Sequence, residues 1–212
     1  MRIDFYGDLT CPWCHLGWRR LHTALQLRPN LSPVLRWRPY QLNPDVPTTG
    51  LDRSEYLLRK FGNAERVREV LQTVEAAMRL EGLHVNLQRI RVMPSTYLAH
   101  RLMLVAESIG RADAFLQEIF ISYFVQGKHV GDPAILREVA QLARLPHTDI
   151  DKELDNHAPH PEIAQSEQEA SQIGIRAVPF VLFDGKFSIA GAHDAVAFLP
   201  LIDLCALQDT SP

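Results

Sequence analysis

Arg2-Ile3-Asp4-Phe5-Tyr6-Gly7-Asp8-Leu9-Thr10-Cys11-Pro12-Trp13-Cys14-His15-Leu16-Gly17 places two cysteines where one hydropathy pattern gives way to another. Upstream, Ile3, Phe5 and Gly7 alternate with Asp4, Tyr6 and Asp8, the period of a strand. Downstream, Leu16, Arg20, Leu21, Leu25 and Leu27 recur at roughly helical spacing. Pro12 suits a first helical turn, and Pro29-Asn30 ends the segment. Val34-Leu35-Arg36-Trp37-Arg38 then alternates again. Strand, helix and strand in about forty residues form a βαβ unit, which requires a parallel pair and a right-handed crossover.

The distal end supplies a complementary half. Val178-Pro179-Phe180-Val181-Leu182-Phe183 and Lys186-Phe187-Ser188-Ile189-Ala190 flank Asp184-Gly185, a hairpin signal. A last helical pattern runs through Ala195, Val196, Phe198, Leu199, Ile202, Leu204 and Leu207, with Pro200 expected to kink it or to start a new turn. From about Asn43 to Ile163 no segment makes a strong strand claim. Helices are predicted at Asp52–Phe61, Ala64–Leu80, Ser95–Ile109, Ala112–Val125, Pro133–Ala143 and Thr148–Asn156, separated by Gly and Pro breaks. A further one, Pro161–Ile173, stops at Gly174, a plausible left-handed cap. The predicted class is α/β: residues 1–43 and 164–212 form one discontinuous domain, into which an all-helical domain, 44–163, is inserted.

Composition excludes several classes of function. The 212 residues carry 22 Lys and Arg against 25 Asp and Glu, a formal charge of −3, with no basic run of the kind nucleic acid requires. No apolar stretch approaches a membrane span, and Met1-Arg2-Ile3-Asp4 lacks the apolar core of a secretory signal, so a cytoplasmic protein is expected. Three cysteines cannot pair fully, and Cys11 and Cys14 are too close to close a useful structural loop. In a reducing compartment such spacing points to chemistry.

A Cys-x-x-Cys motif at a strand-to-helix junction puts the first sulfur at the helix N-terminus, where free N–H groups and the positive dipole end favour a thiolate. Cys11 is then the exposed nucleophile and Cys14, one turn on, the more buried resolving thiol. Other readings of the pair are structural zinc, haem attachment and inert packing. Zinc lacks two further ligands, since only Cys205 and nine scattered histidines remain. The string Cys11-Pro12-Trp13-Cys14-His15 matches a haem motif formally but sits in a βαβ unit. Val178-Pro179 opens a strand that otherwise reads as central. Its peptide is either cis, turned toward the cysteines with the Val178 backbone free to pair with substrate, or trans on an edge strand. Trp13 and His15 flank the thiols and shape access and electrostatics. Asp8 either assists proton transfer or caps a strand end. Trp37, Tyr40 and Phe124 read as core, and Cys205 as a buried, unreactive thiol.

Four blocks in this order resemble the DsbA family of thioredoxin-fold proteins, and within it the FrnE-type branch, which is related to 2-hydroxychromene-2-carboxylate isomerases and kappa-class glutathione transferases. They are Asp8 through Gly17, Trp37-Arg38-Pro39-Tyr40-Gln41-Leu42-Asn43-Pro44, Ala99-His100-Arg101-Leu102, and Val178-Pro179-Phe180 through Gly191-Ala192. The resemblance spans nearly the whole chain. It implies a thioredoxin-like fold with an inserted all-helical domain, a cis Val178–Pro179 bond, and disulfide exchange at catalytic Cys11 and Cys14. Pro12, Trp13, Val178, Pro179 and His100 would contact substrate; His100 either faces the cleft, to polarise a ligand or stabilise a thiolate, or is a satisfied interdomain histidine. The isomerase and transferase relatives carry Ser at the position of Cys11 and bind glutathione there, so two retained cysteines favour redox chemistry. They often carry Asn-Thr before the Ala-His of the inserted helix, where this chain has Pro94-Ser95-Thr96.

The expected activity is that of a thiol–disulfide oxidoreductase acting on protein thiols and disulfides or on small thiols. No metal or cofactor is expected beyond glutathione as a co-substrate, and neither nucleic acid nor membrane as a partner. The alternative is a glutathione-dependent isomerase or transferase that needs no cycling of Cys14. A third class, a thiol-dependent holdase, would bind unfolded chains through apolar surface around the cysteines.

Overall fold

The structure, a computed structural model, describes residues 1–156 and 158–209. Thr210–Pro212, at the end of the predicted 164–212 segment, lie outside the described residues. The chain divides into two compact units: Met1–Leu42 together with the chain from Pro161 onward, and Asn43–His160.

The first unit holds a four-stranded sheet in the order β2-β1-β5-β6, made by β1 (Arg2–Gly7), β2 (Val34–Pro39), β5 (Phe180–Phe183) and β6 (Phe187–Ala190). β1 and β2 run parallel in the register Ile3 to Leu35 and Phe5 to Trp37, whereas β5 pairs antiparallel with both β1 and β6. The parallel pair is joined by α1 (Pro12–Gln26), as the βαβ spacing requires. Residue parity sorts the sheet into two faces. Ile3, Phe5, Trp37, Val181 and Phe183 are all 1% exposed or less. Phe5 stacks on Trp37 at 5.2 Å and meets the α1 residue Trp18 edge-on at 5.1 Å. On the other face the Arg38 guanidinium lies over the Tyr6 ring and pairs with Glu169 of α8 (Pro161–Gln172), while the Ser166 hydroxyl donates to the Pro39 carbonyl at 2.8 Å. β1 is thus covered on both sides, and Asp4 and Tyr6 are as buried as their apolar neighbours. Gly7 is required by this packing: a Cβ there would lie 2.7 Å from the Trp37 ring.

The hairpin turn has both Asp184 and Gly185 at positive φ, as an Asp-Gly turn demands, and α8 stops at Gly174 with φ +78°. The last helix, α9 (Ala195–Asp209), packs on α1 and runs unbroken through Pro200. The missing N–H falls on the solvent side: Pro200 is exposed, and so is Val196, whose carbonyl loses its helical donor.

The second unit contains α2 (Arg53–Phe61), α3 (Ala64–Leu80), α4 (Tyr97–Ser108), α5 (Ala112–Phe120), α6 (Pro133–Leu142) and α7 (His147–Asp155). It differs from an all-helical domain by a two-residue antiparallel ladder between β3 (Leu51–Asp52) and β4 (Val92–Met93), pairing Leu51 with Met93. Pairs this short leave no alternation in the sequence to detect. The segment predicted as one helix to Val125 changes after Phe120 into a π turn, Ile121–Val125, in which the Gln126 N–H reaches back to the Ile121 carbonyl at 3.0 Å. Phe124 is core here, 1% exposed and edge-on to Tyr123. Arg101, 1% exposed, pairs with Glu153 at 2.8 Å and donates to the Ala158 carbonyl at 2.8 Å, tying α4 to α7 and to the strand of chain that follows it.

Candidate active site

Cys11 is the N-cap of α1, with φ −84° and ψ 115°, and Pro12 occupies the first helical turn, where a missing N–H costs nothing. The Cys11 carbonyl accepts from the N–H groups of Cys14 (3.0 Å) and His15 (3.2 Å), which starts the helix directly under the motif. The loop ahead of it is held by Asp8. Its carboxylate, 1% exposed, accepts from the Thr10 N–H and hydroxyl at 2.8 Å each and from the Leu42 N–H at 2.8 Å. The Cys11 N–H donates to the Asp8 carbonyl at 3.1 Å. Asp8 therefore caps the loop between β1 and α1, rather than standing as a solvated strand end.

Cys11, Cys14 and Cys205 are thiols rather than disulfides. Cys14 is fully buried, and burial pushes its thiol well above the ordinary range, helped by its hydrogen bond to Cys11 and the charge of that neighbour; a backbone hydrogen bond from Asp8 opposes the shift. At neutral pH Cys14 holds its proton. Cys11 departs from the expectation of an exposed sulfur, since the residue is only 4% exposed. The reason is tertiary: its Sγ donates to the Val178 carbonyl at 3.8 Å, so the loop before β5 lies over it.

That loop contains a cis Val178–Pro179 peptide. The Pro179 carbonyl accepts from the Gly191 N–H at 2.8 Å, and the Pro179 ring presses on α1 at Gly17, where a Cβ would come within 2.9 Å of it. Cys11, Pro12, Trp13, Cys14, Val178 and Pro179 thus belong to one unit, with Pro12 and Trp13 half-buried beside the thiols. His15, also half-buried, has its pKa lowered to about 4 by burial, with a smaller push from the Arg19 cation. It is neutral at physiological pH and brings no positive charge to the thiols. His100 lies in the other unit, on α4, and has no exposed surface. Trp37 is core at 1% exposed, Tyr40 is half-buried, and Cys205 is wholly enclosed within α9.

Sequence reasoning misses the role of Gly17 and takes Asp8 for a proton-transfer group or a strand-end cap rather than the cap of the whole loop. Gly17 carries a signal, because a glycine inside a helix costs about 1 kcal/mol against Ala and needs a reason such as close approach. The loop-capping role of Asp8 is signalled by Asp8-Leu9-Thr10, an acid whose side chain can bond the N–H two residues on. Its contact with Leu42 leaves no such trace. Among the described residues no group of three or more His, Cys, Asp or Glu side chains is placed to hold a metal ion. No helix among them is long and apolar enough to cross a membrane.

The sequence model of the DSBA-like thioredoxin domain matches residues 2–202. Among solved structures, a probable DsbA oxidoreductase from Streptomyces coelicolor is 28% identical, with a TM-score of 0.90 over 100% of this chain and 92% of that one. The cytosolic disulfide reductase DsbM of Pseudomonas aeruginosa, solved with GSH, superposes at a TM-score of 0.65 and 17% identity, covering 99% of this chain and 98% of its own. A 2-hydroxychromene-2-carboxylate isomerase superposes at 0.63 and 16% identity, covering 100% of both chains. The last two share the fold. With a family match across residues 2–202, this chain belongs to the DSBA-like thioredoxin domain family, a family of thiol oxidoreductases.

Proposed function

We propose that the chain is a thiol–disulfide oxidoreductase of the FrnE-type branch, working in the cytoplasm on protein thiols and disulfides or on small thiols such as glutathione. The observation that carries this reading is the pair of free thiols at one helix start, with Cys11 at the N-cap and Cys14 buried behind it. In the reducing direction the Cys11 thiolate attacks one sulfur of a substrate disulfide. A mixed disulfide forms, and the other substrate sulfur leaves as a thiolate that takes up a proton. Cys14 then gives up its proton and attacks the Cys11 sulfur, closing the Cys11–Cys14 disulfide and releasing the second substrate sulfur. The substrate gains two electrons from the dithiol. Two glutathione thiols restore them and leave as glutathione disulfide, and every step runs in reverse for oxidation.

Division of labour between the thiols follows from their surroundings. A Cys14 thiol held protonated by burial does not compete for the first attack, so the substrate meets Cys11. In this reading the Val178 carbonyl, which takes the Cys11 thiol at 3.8 Å, passes to an extended substrate, while Pro179, Pro12 and Trp13 border the approach. Glutathione in the DsbM structure supports its use as the small thiol. His100, enclosed in α4, takes no part in the exchange proposed.

The test is a redox titration of the Cys205→Ser protein against graded glutathione ratios, read by thiol trapping and intact mass. Interconversion of a dithiol and an internal Cys11–Cys14 disulfide at one midpoint is expected. A protein that forms no internal disulfide and instead retains glutathione, bound or as a stable adduct on Cys11, would replace this reading with the isomerase or transferase one.

A further inference from the structure

The 43–160 unit contains a cavity of about 420 Å³ that the disulfide exchange does not use. It opens between Thr48-Thr49, the start of α4 (Ser95, Tyr97, Leu98), the start of α6 (Gly131, Pro133) and the end of α7 (Leu154, Asn156). Voids larger than a water molecule are few in a well-packed unit, and about 300–1,000 Å³ is the range of small-molecule pockets. Its wall is built rather than left over. Gly131 is buried, and a Cβ there would meet His129 at 2.8 Å and the Ser95 carbonyl at 2.9 Å. The Gly131 N–H donates to His129 Nδ1 at 3.0 Å, which leaves the proton on Nε2, directed to the Thr49 carbonyl at 3.2 Å. Three separate segments are thereby fixed around one space.

The lining selects for chemistry. In a chain with 22 Lys and Arg and 25 Asp and Glu, none of the described residues that line this cavity carries a carboxylate, an ammonium, a guanidinium or an imidazole, the His129 ring lying behind Gly131 and bonded to the Thr49 carbonyl. A charged ligand would lose hydration there without a counter-charge, so the occupant is uncharged. Leu98, Pro133, Leu154 and the Tyr97 ring supply apolar surface. Two polar groups have donors to spare. The Tyr97 hydroxyl already accepts from the His160 N–H at 2.5 Å, and the Asn156 carbonyl oxygen accepts from the Ala158 N–H at 2.9 Å, which leaves one O–H and one NH₂ to give. Ser95, Thr48 and Thr49 can complete the bonding from the rim.

We infer that this cavity is a binding site, separate in its residues from the thiol pair, for an uncharged ring compound bearing an acceptor oxygen, such as a phenol or a cyclic ketone. The probe is 2-naphthol, measured by calorimetry and by amide chemical-shift mapping, with 2-naphthoate as its charged counterpart. Saturable one-to-one binding is expected, with shifts at Leu98, Gly131 and Asn156, and affinity for the naphthoate at least about tenfold weaker. Ser95→Trp should fill the space and weaken 2-naphthol by about tenfold or more without moving the redox midpoint. Thr49→Trp, at the exposed rim, serves if Ser95→Trp does not fold. A Cys11→Ser, Cys14→Ser double variant should bind as the parent does, so failure of the exchange reading leaves this result intact. No saturable binding at about 1 mM, shifts confined to the 1–42 and 161–209 unit, equal affinity for the two probes, or binding unaffected by either tryptophan would each overturn the inference.

Discussion

His15 and Cys14 sit within one turn of each other on α1 and are both held neutral by burial, with opposite consequences for pH. The folded pKa of His15, about 4, lies below its ordinary 6.5. Between those values the unfolded chain takes up a proton and the folded chain does not, so stability rises with pH through that window and levels off above it. The effect amounts to about 3 kcal/mol at most. Urea unfolding of the parent and of His15→Gln at pH 4.5 and 7.5 should show a smaller pH dependence in the variant; equal slopes would contradict the burial argument. Cys14 behaves in the reverse sense. Its raised pKa makes a stabilising contribution at neutral pH that is lost as the solution becomes alkaline beyond the ordinary thiol range. His15 follows the motif directly in sequence, yet its neutrality is a product of the packing around it.

At the scale of elements, α1 meets the loop before β5 at Gly17, which lies against the Pro179 ring, as well as at Cys11. Gly17→Ala gains about 1 kcal/mol of helix propensity, but its Cβ would lie 2.9 Å from Pro179 Cγ. The ring cannot step aside easily, because its carbonyl is bonded to the Gly191 N–H and β5 follows immediately. Overpacking of this kind costs roughly 1–3 kcal/mol, so a net loss of up to about 2 kcal/mol is expected. Disulfide exchange should slow several-fold as the Val178 carbonyl shifts from Cys11. Equilibrium unfolding together with the rate of reduction of a peptide–glutathione mixed disulfide measures both, and an unchanged rate in a destabilised variant would separate Gly17 from the site. The glycine was legible as a helix residue from periodicity; its partner lies 162 positions away and was not.

Across the whole molecule, each unit has its own core, and breaking one tests how far the chemistry depends on the other. Arg101 and Glu153 are paired almost without solvent, and Arg101→Met strands a buried carboxylate. Removing one partner of such a pair costs about 3–5 kcal/mol. Hydrogen exchange should show lost protection in α4 and α7 of the variant, with the amides of β1 and β5 unaffected at low denaturant. The redox midpoint of Cys11 and Cys14 should stay where it is. A shifted midpoint would mean that the 43–160 unit contributes to the poise of the thiols.

The sequence by itself determined the local grammar of this protein. Alternation in residues 3–7 and 34–38, helical spacing after Pro12 and the Asp184-Gly185 turn specify their elements from neighbouring residues alone, through side-chain direction and backbone sterics. The cysteine spacing at a strand-to-helix junction located the thiols for the same reason. Tertiary structure alone decided which groups surround them. The Leu42 amide on Asp8 and the Val178 carbonyl over Cys11 join segments far apart in the chain, and the loss of water at Cys14, His15 and His100 belongs to the packed state. Desolvation and hydrogen-bond partnership are properties of the packed interior, and no residue carries them before the chain closes around it.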